Sequence, residues 1–188
     1  MGIIAASAGE WFPNAVVRTA VLETAYTESE RQMASAIDTF RPNLVLSFGV
    51  GGRAGGLCLE RFARNIDDAE QPDIRGEVRI GTPIVPEGPP ALTATLDLAA
   101  VYQNLSRAGI PARISDHAGT YVCNHLFYYG LFHLARQNYR TRMGFVHMPP
   151  ADAWFGSGRH PAPACTRELA LVHGARTLVE TAARLSPF

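Results

Sequence analysis

The sequence predicts an α/β protein in which a mainly parallel sheet is covered by helices. Strand-like and helix-like segments alternate along the 188 residues, which is typical of a parallel sheet with helical crossovers. Hydrophobic residues make up 47% of the chain and charged residues 18%, which is enough apolar material for a folded core and excludes intrinsic disorder. The length fits one domain, residues 1–188, because domains commonly run to about 100–200 residues.

The first part of the chain carries two predicted strands with a helix between them. Valines favour a strand at Ala15–Leu22. The segment Ser29–Phe40 is predicted to be a helix, with Thr27 or Ser29 as its N-cap and a proline close behind its end. Leu44–Phe48 is a short apolar run that ends at a glycine, as buried strands often do.

The middle of the chain is rich in glycine and proline. A glycine-rich segment spans residues 49–56, and Arg61–Ile66 is predicted to be a further strand. Residues 71–90 contain five prolines and predict a long excursion over the surface. Loops of that length in folded domains often act as lids or as contacts between subunits.

The second half is predicted to fold as helix, strand, helix, strand and helix. These elements are Thr93–Arg107, Ala112–Ser115, Val122–Asn138, Met143–Met148 and Ala164–Leu185. The first of them stops at Gly109, a common residue directly after a helix, and the second strand is followed by two prolines.

Charge and cysteine content exclude several classes of protein. The net charge is zero, from 17 basic and 17 acidic residues, which gives no electrostatic footprint for nucleic acid or an anionic membrane. No apolar run reaches the roughly 18–20 residues of a membrane span, and Ile3–Ala6 is too short for a signal peptide. Cys58, Cys123 and Cys165 lack CxxC spacing, so we expect neither a disulfide framework nor a zinc site. We therefore expect a soluble, cytoplasmic protein.

Cys123 is the first candidate for chemistry because it begins the apolar helix after an Ala-Gly turn. The first turn of a helix has unpaired backbone N–H groups and the positive end of the helix dipole, which favour a thiolate over a thiol. The same N–H groups can hold an oxyanion during acyl transfer. The alternative is that Cys123 is a buried, inert cysteine.

His147 is the second candidate. The helix Val122–Asn138 spans roughly 25 Å at about 1.5 Å per residue, and Met143–Met148 covers roughly 20 Å at about 3.3 Å per residue. If that strand runs back along the helix, His147 returns to the side of Cys123, where a cysteine and a histidine form the nucleophile and base of a thiol hydrolase. The alternative is a structural histidine whose ring nitrogens make their hydrogen bonds within the core.

A third group should orient the imidazole of such a pair. Glu60 is a candidate because it closes the excursion that leaves the carboxyl end of Leu44–Phe48. Asp67 and Asp68 compete with it, and the spacing does not separate the three carboxylates. The alternative for each is a solvated acidic side chain.

Two other classes of site fit less well. Gly49-x-Gly51-x-x-Ala54 follows a strand and is reminiscent of a dinucleotide-binding turn, with Asp67 or Asp68 at about the distance of a ribose-binding acid. Such a turn must open a helix, and two further glycines occupy the place of the first helical turns. Neither histidine pairs nor other ligand spacings predict a metal, so we expect no metal and no cofactor.

Three motifs together resemble the pyroglutamyl peptidase I family. Residues 114–125, ISDHAGTYVCNH, look like its nucleophile signature, and residues 144–149, GFVHMP, resemble its catalytic-histidine strand. Residues 49–65, which end in ERFARN, align without gaps to its catalytic-glutamate signature. The resemblance runs from about Val16 to the C-terminus, with the three motifs in the family's order.

The resemblance implies a fold, a reaction and roles for residues. The family fold is a three-layer α/β/α sandwich, commonly assembled as a homotetramer and needing no cofactor. Its members remove an N-terminal pyroglutamyl residue from peptides whose amino terminus is blocked. Cys123 is then the nucleophile, His147 the general base and acid, and Glu60 the group that orients His147. The substrate pocket is then lined by three residues, Val50, Tyr121 and Val122.

Some positions depart from the family's pattern. Members normally begin with a strand and a loop rich in glycine and phenylalanine that helps to wall the pocket, and Met1–Asn14 does not resemble it. Val50 stands where a glutamine is usual, Cys58 where a serine or threonine is usual, and Glu70 at a commonly basic position. The alternative hypothesis is therefore a weak or inactive family member that acts as a binding protein, or a chain whose natural start lies upstream.

Overall fold

The structure is a computed structural model that describes residues 16–51, 56–150 and 164–184, with side chains in the last segment described from residue 173. In chain order its elements are α1 (Tyr26–Phe40), β1 (Leu44–Val50), β2 (Leu57–Glu60), β3 (Phe62–Arg64), β4 (Asp67–Ala69), β5 (Arg79–Thr82), β6 (Ala91–Thr93), α2 (Leu98–Arg107), β7 (Ala112–Ser115), α3 (Val122–Arg136), β8 (Arg142–Met148) and α4 (Ala164–Arg184).

The central sheet has four strands in the order β1-β8-β2-β7. β1 runs parallel to β8 and β2 runs parallel to β7, whereas β2 and β8 are antiparallel. The predicted mainly parallel sheet is confirmed, with one antiparallel contact at its centre. β2 was not predicted: it has only four residues and ends in a carboxylate, so it lacks both the apolar run and the alternation that mark a strand.

Helices cover both faces of this sheet, as the three-layer prediction requires. On one face α1 packs with α3, and on the other α2 packs with α4. The core of the first face includes Met33, Phe127, Leu131, Met143 and Phe145. The core of the second includes Leu59, Val101, Leu105, Val146 and Leu178. Alternate residues of β8 therefore face opposite layers. Met143, Phe145 and, by the same alternation, His147 face α1 and α3.

Two short antiparallel pairs extend from the central sheet. β3 pairs with β6, and β4 pairs with β5. The predicted strand at Arg61–Ile66 is thus shorter than expected, and the proline-rich excursion contains β5. No helix in the part of the chain that the structure describes is long and apolar enough to cross a membrane.

The predicted strand at Ala15–Leu22 is wrong for residues 16–22, and Ala15 lies outside the described residues. The segment makes no strand pairing with any described residue. Val16 and Val21 are 69% and 81% exposed. β-branched residues favour a strand only where a neighbouring strand and a buried face accept them, and neither is present here.

Two helices begin elsewhere than predicted. α1 begins three residues early, at Tyr26, because the carboxylate of Asp73 accepts a hydrogen bond from the Tyr26 N–H (3.0 Å) and takes the place of a local cap. Thr27 and Ser29 therefore lie inside the helix rather than at its N-cap. α2 begins at Leu98 rather than Thr93, since Asp97 caps it through the N–H of Ala100.

Candidate active site

The candidate site lies on the sheet face that α1 and α3 cover, around His147 near the end of β8. In the sheet register His147 is level with Gly49 of β1 on one side and with Cys58 of β2 on the other. Glu60, two residues beyond Cys58, is level with Phe145. Because side chains on a strand alternate, Cys58, Glu60 and His147 all point to the same face.

Glu60 holds the imidazole ring of His147. The Nδ1–H of His147 donates a hydrogen bond to Glu60 Oε1 at 2.8 Å, and both side chains are buried. The second carboxylate oxygen of Glu60 is also buried and has no hydrogen-bond partner among the described residues. This hydrogen bond fixes the ring so that Nε2 is the nitrogen left for another partner.

That partner is Cys123, a free cysteine in the first turn of α3. Burial alone would lower the pKa of His147, but hydrogen bonds to the Cys123 sulfur and to Glu60 outweigh it and raise that pKa to about 9. An imidazole held between a carboxylate and a sulfur is therefore protonated at neutral pH. Such a geometry suits a thiolate–imidazolium pair.

Gly49 provides the space in which the sulfur sits. An ideal Cβ at this position would lie 3.0 Å from Cys123 Sγ and 3.2 Å from His147 Cδ2. Any side chain at position 49 would crowd both groups. The sequence places Gly49 in a possible dinucleotide-binding turn and in the family's catalytic-glutamate signature, but it does not predict this close contact with Cys123 and His147. A glycine near the end of a strand is a signal of close approach.

The three carboxylates that the spacing left open separate clearly in the structure. Asp67 is fully buried. It accepts a hydrogen bond from His125 Nδ1 (2.8 Å) and forms an ion pair with Arg79 (3.1 Å). Asp68 is exposed, and its carboxylate accepts from the N–H of Gly81. Glu60 alone of the three contacts His147.

The predicted pocket residues surround the N-terminus of α3 and the end of β1. Val50 is 71% exposed. Tyr121 is the N-cap residue of α3, and its hydroxyl donates to the carbonyl of Pro72 (2.9 Å). The side chain of Val122 is buried, so only its backbone is available to a substrate.

The glycine-rich segment does not continue as a dinucleotide turn. Gly56 is followed directly by strand β2, whereas such a turn must open a helix. No cluster of three or more metal-ligating side chains occurs in residues 16–51, 56–150 or the described part of α4.

Asn124 and His125, which follow the candidate nucleophile, were not singled out for any role at the sequence level. Both side chains are fully buried. Asn124 binds the backbone of β3, and His125 pairs with Asp67. Polar residues on an otherwise apolar helix, directly beside a candidate nucleophile, are the signal that could have drawn attention to them.

Comparisons with known proteins give the same family as the motifs. The family model described as pyroglutamyl peptidase matches residues 3–184, so the match starts earlier than Val16, where we expected the resemblance to begin. A pyrrolidone-carboxylate peptidase of Bacillus cytotoxicus is 45% identical over 129 residues, which are 68% of this chain and 60% of that relative. The chain therefore aligns with less than two thirds of this relative's length.

Two further proteins match over more of their length. A pyrrolidone-carboxylate peptidase of Cupriavidus taiwanensis is 40% identical over 178 residues, which cover 93% of this chain and 80% of that relative. A solved structure of a mutant pyrrolidone carboxyl peptidase from Pyrococcus furiosus superposes with a TM-score of 0.80 at 28% identity, covering 92% of this chain and 84% of that one. Since the fold, the motifs and these matches agree, the chain belongs to the pyroglutamyl peptidase family.

Proposed function

We propose that this chain is a cysteine peptidase that removes N-terminal pyroglutamyl residues, with Cys123 as nucleophile, His147 as general acid and base, and Glu60 as the group that orients His147. The observation that carries the proposal is the position of the imidazole ring. It donates to Glu60 through Nδ1 and has Cys123 as its other partner, on the face of the sheet that leads to the N-terminus of α3.

In the first step the Cys123 thiolate attacks the carbonyl carbon of the pyroglutamyl residue. The carbonyl electrons move onto oxygen, and N–H groups in the first turn of α3 stabilise the oxyanion, because these groups have no acceptor within the helix. When the tetrahedral intermediate collapses, the C–N bond breaks and His147 gives its Nε2 proton to the leaving amine. The products of this step are a shortened peptide and a thioester on Cys123.

In the second step water cleaves the thioester. Neutral His147 takes a proton from the water as it attacks, and the C–S bond then breaks to release pyroglutamate and the Cys123 thiolate. The proton remains on His147, so the thiolate–imidazolium pair is restored. Glu60 keeps the ring in one orientation through both steps and stabilises its positive charge.

Substrate selection is assigned to the surroundings of the α3 N-terminus. Pyroglutamate is a lactam without a charged amino group, so a pocket for it needs apolar walls and a few hydrogen-bonding groups rather than a carboxylate. Val50, Tyr121 and the backbone of Val122 are the residues that we propose for this pocket. The substrates are peptides with a blocked amino terminus.

Turnover of a pyroglutamyl-coumarin amide, compared with its prolyl analogue, tests the proposal. The two compounds differ in the lactam carbonyl, so hydrolysis of the first and not the second is the expected result. Equal hydrolysis of both would contradict the pyroglutamyl specificity. An absence of hydrolysis, together with undiminished binding of a pyroglutamyl aldehyde, would identify a binding protein instead.

We further propose that the protein acts in the cytoplasm and assembles as a homodimer or homotetramer, with neither a nucleic acid nor a membrane as partner. The balanced charge supports the absence of nucleic-acid and membrane partners. The free thiols of Cys58 and Cys123 support the first point, a cytoplasmic location, because thiols stay reduced there. Family membership supports the second. Light scattering of the purified chain distinguishes a monomer from these assemblies.

A further inference from the structure

The first turn of α3 is fastened to residues 64–72 on both sides of Cys123. Before the cysteine, the N–H of Asp68 donates to the carbonyl of Thr120 (2.9 Å), and the Thr120 hydroxyl donates to the carbonyl of Asp68 (2.6 Å). Tyr121 binds Pro72 as described above. After the cysteine, Asn124 binds β3 and His125 binds Asp67. The sulfur is therefore carried by a turn that is held at both ends.

Asn124 alone makes three of these hydrogen bonds. Its Oδ1 accepts a hydrogen bond from the N–H of Arg64 (2.8 Å), and its Nδ2 donates to the carbonyls of Arg64 (2.9 Å) and Ile66 (3.0 Å). This side chain engages both backbone groups of Arg64, as a residue of a neighbouring strand does. β3 has β6 as a strand partner on its other edge, so Asn124 completes the pairing of β3.

The same segment also carries Glu60. β3 begins two residues after Glu60, so one short stretch of chain orients His147 through Glu60 and holds α3 through Arg64. Cys123 and Asn124 are adjacent in a helix, where a rotation that moves one side chain moves the other by the same angle. The Asn124 amide therefore fixes the direction in which the Cys123 sulfur leaves the helix.

We propose that Asn124 is a positioning residue for the thiol reaction, because its three hydrogen bonds to β3 and Ile66 set the sulfur of Cys123 against His147. The inference rests on the proposed function of Cys123 and His147. It assigns no contact between Asn124 and the substrate. Its effect is on the geometry of the pair and not on binding.

The prediction for Asn124→Ala follows from this geometry. A displacement of reacting groups by about 1 Å can cost roughly 10²-fold in rate, so kcat should fall by about that factor while KM changes less than about twofold. The sulfur is one of the groups that raise the pKa of His147, so the alkaline fall in kcat/KM should move down from about pH 9. Among the described residues, the titratable groups facing His147 are Cys58 and Glu60 from β2 and Cys123 from α3.

Asn65→Ala is the matched control. The Asn65 amide also makes three hydrogen bonds to backbone, with the N–H and carbonyl of Val85 and the carbonyl of Gly88, but it holds a loop that does not carry Cys123. This substitution should lower thermal stability by a similar amount and leave the alkaline fall at the wild-type pH. The pH of that fall does not depend on how much enzyme is folded, so it is readable even for a poorly stable variant.

Two results would overturn the inference. One is an Asn124→Ala enzyme whose alkaline fall stays at the wild-type pH, and the other is a loss of kcat no larger than that of Asn65→Ala. If Asn124→Ala does not fold, Asn124→Ser gives the same comparison because its hydroxyl replaces only part of the amide's hydrogen bonding. NMR titration of the His147 ring in the wild type and in the Asn124 variant measures the change in the pKa of His147 without substrate. The inference is therefore tested even if the wild-type protein hydrolyses no pyroglutamyl amide.

Discussion

Gly49 lies beneath Cys123, and the sulfur occupies space that a side chain at position 49 would fill. β1 and β8 are parallel neighbours, and Gly49 is level with His147. Because Gly49 has no side chain, none of its atoms comes between the His147 ring and the Cys123 sulfur. The contact between Cys123 and His147 therefore depends on the absence of a side chain at position 49 of β1.

Gly49→Ala should reduce turnover by at least about tenfold, because the new methyl group would displace the sulfur, the ring, or both. The matched control is Gly144→Ala, whose methyl group would approach Leu96 to 2.9 Å on the opposite face of β8. We expect the control to lower the melting temperature and leave kcat nearly unchanged. Equal losses of kcat in the two variants would contradict the role of Gly49.

Cys123→Ala and His147→Ala should each abolish hydrolysis of a pyroglutamyl-coumarin amide. If Cys123 and His147 act as one unit, as we propose, the double variant should be little worse than either single variant. Steady-state rates of the three proteins test this, with Cys58→Ala as an active control. Losses that multiply in the double variant would show that the two residues act independently.

Glu60→Gln should keep the fold and lower kcat by about 10²-fold or more, since it removes the charge that stabilises the imidazolium. Glu60 is one cause of the raised pKa of His147, so the alkaline fall in kcat/KM should move from about pH 9 toward lower pH. In the wild type, activity should be lost as the pH rises through about 9, because His147 would then lack the proton for the leaving amine. A pH profile that Glu60→Gln leaves in place would refute this role.

Asp67→Asn should act on stability and not on the chemistry. Burial would lower the pKa of His125, but Asp67 and Glu30 outweigh it and raise the pKa above 6.5. The resulting stabilisation is fully present below pH 6.5 and is lost as the pH rises through the folded-state pKa. Urea unfolding should therefore show a loss of about 3 kcal/mol near pH 6 that shrinks at alkaline pH.

The control for Asp67→Asn is Asp116→Asn, which removes an ion pair between Asp116 and Arg61 that is largely exposed. It should leave the free energy of unfolding almost unchanged. The alkaline fall of kcat/KM should stay near pH 9 in Asp67→Asn. Its movement to lower pH would mean that Asp67, rather than Glu60 alone, acts on His147.

Brief treatment with iodoacetamide at neutral pH should modify Cys123 and spare Cys58. Cys123 is partly exposed, whereas Cys58 is 1% exposed. A pyroglutamyl aldehyde should protect Cys123, because its hemithioacetal resembles the tetrahedral intermediate. Peptide mapping by mass spectrometry measures both effects, and equal labelling of the two cysteines would contradict the expectation.

The sequence allowed much of the sheet and the pairing of Cys123 with His147 to be predicted. β1 and β8 are mainly apolar segments with clear stops, and the lengths of α3 and β8 are enough to bring His147 back to Cys123. These features depend on local patterns and on the dimensions of helices and strands, both of which are visible in a single chain.

Features that depend on distant residues were not predictable in the same way. The carboxylate of Asp73 caps the start of α1 although it lies 47 positions from Tyr26 in the sequence. β2 forms a strand because it pairs with β7 on one side and with β8 on the other. Spacing alone left Glu60 equal to Asp67 and Asp68, since the choice among them depends on the antiparallel register of β2 and β8. The resemblance to the family selected Glu60 without giving this physical reason.

The length of the stretch from Glu60 to Arg64 fixes the distance between two parts of the site. At one end Glu60 holds the ring of His147, and at the other the backbone of Arg64 holds Asn124 and so sets the rotation of α3, which carries Cys123. Substitutions at its solvent-facing side chains should be tolerated. Inserting or deleting one residue would instead move Glu60 relative to Arg64, so that His147 and Cys123 could not both keep their positions. Variation among functional relatives should therefore change the composition of this stretch while preserving its length.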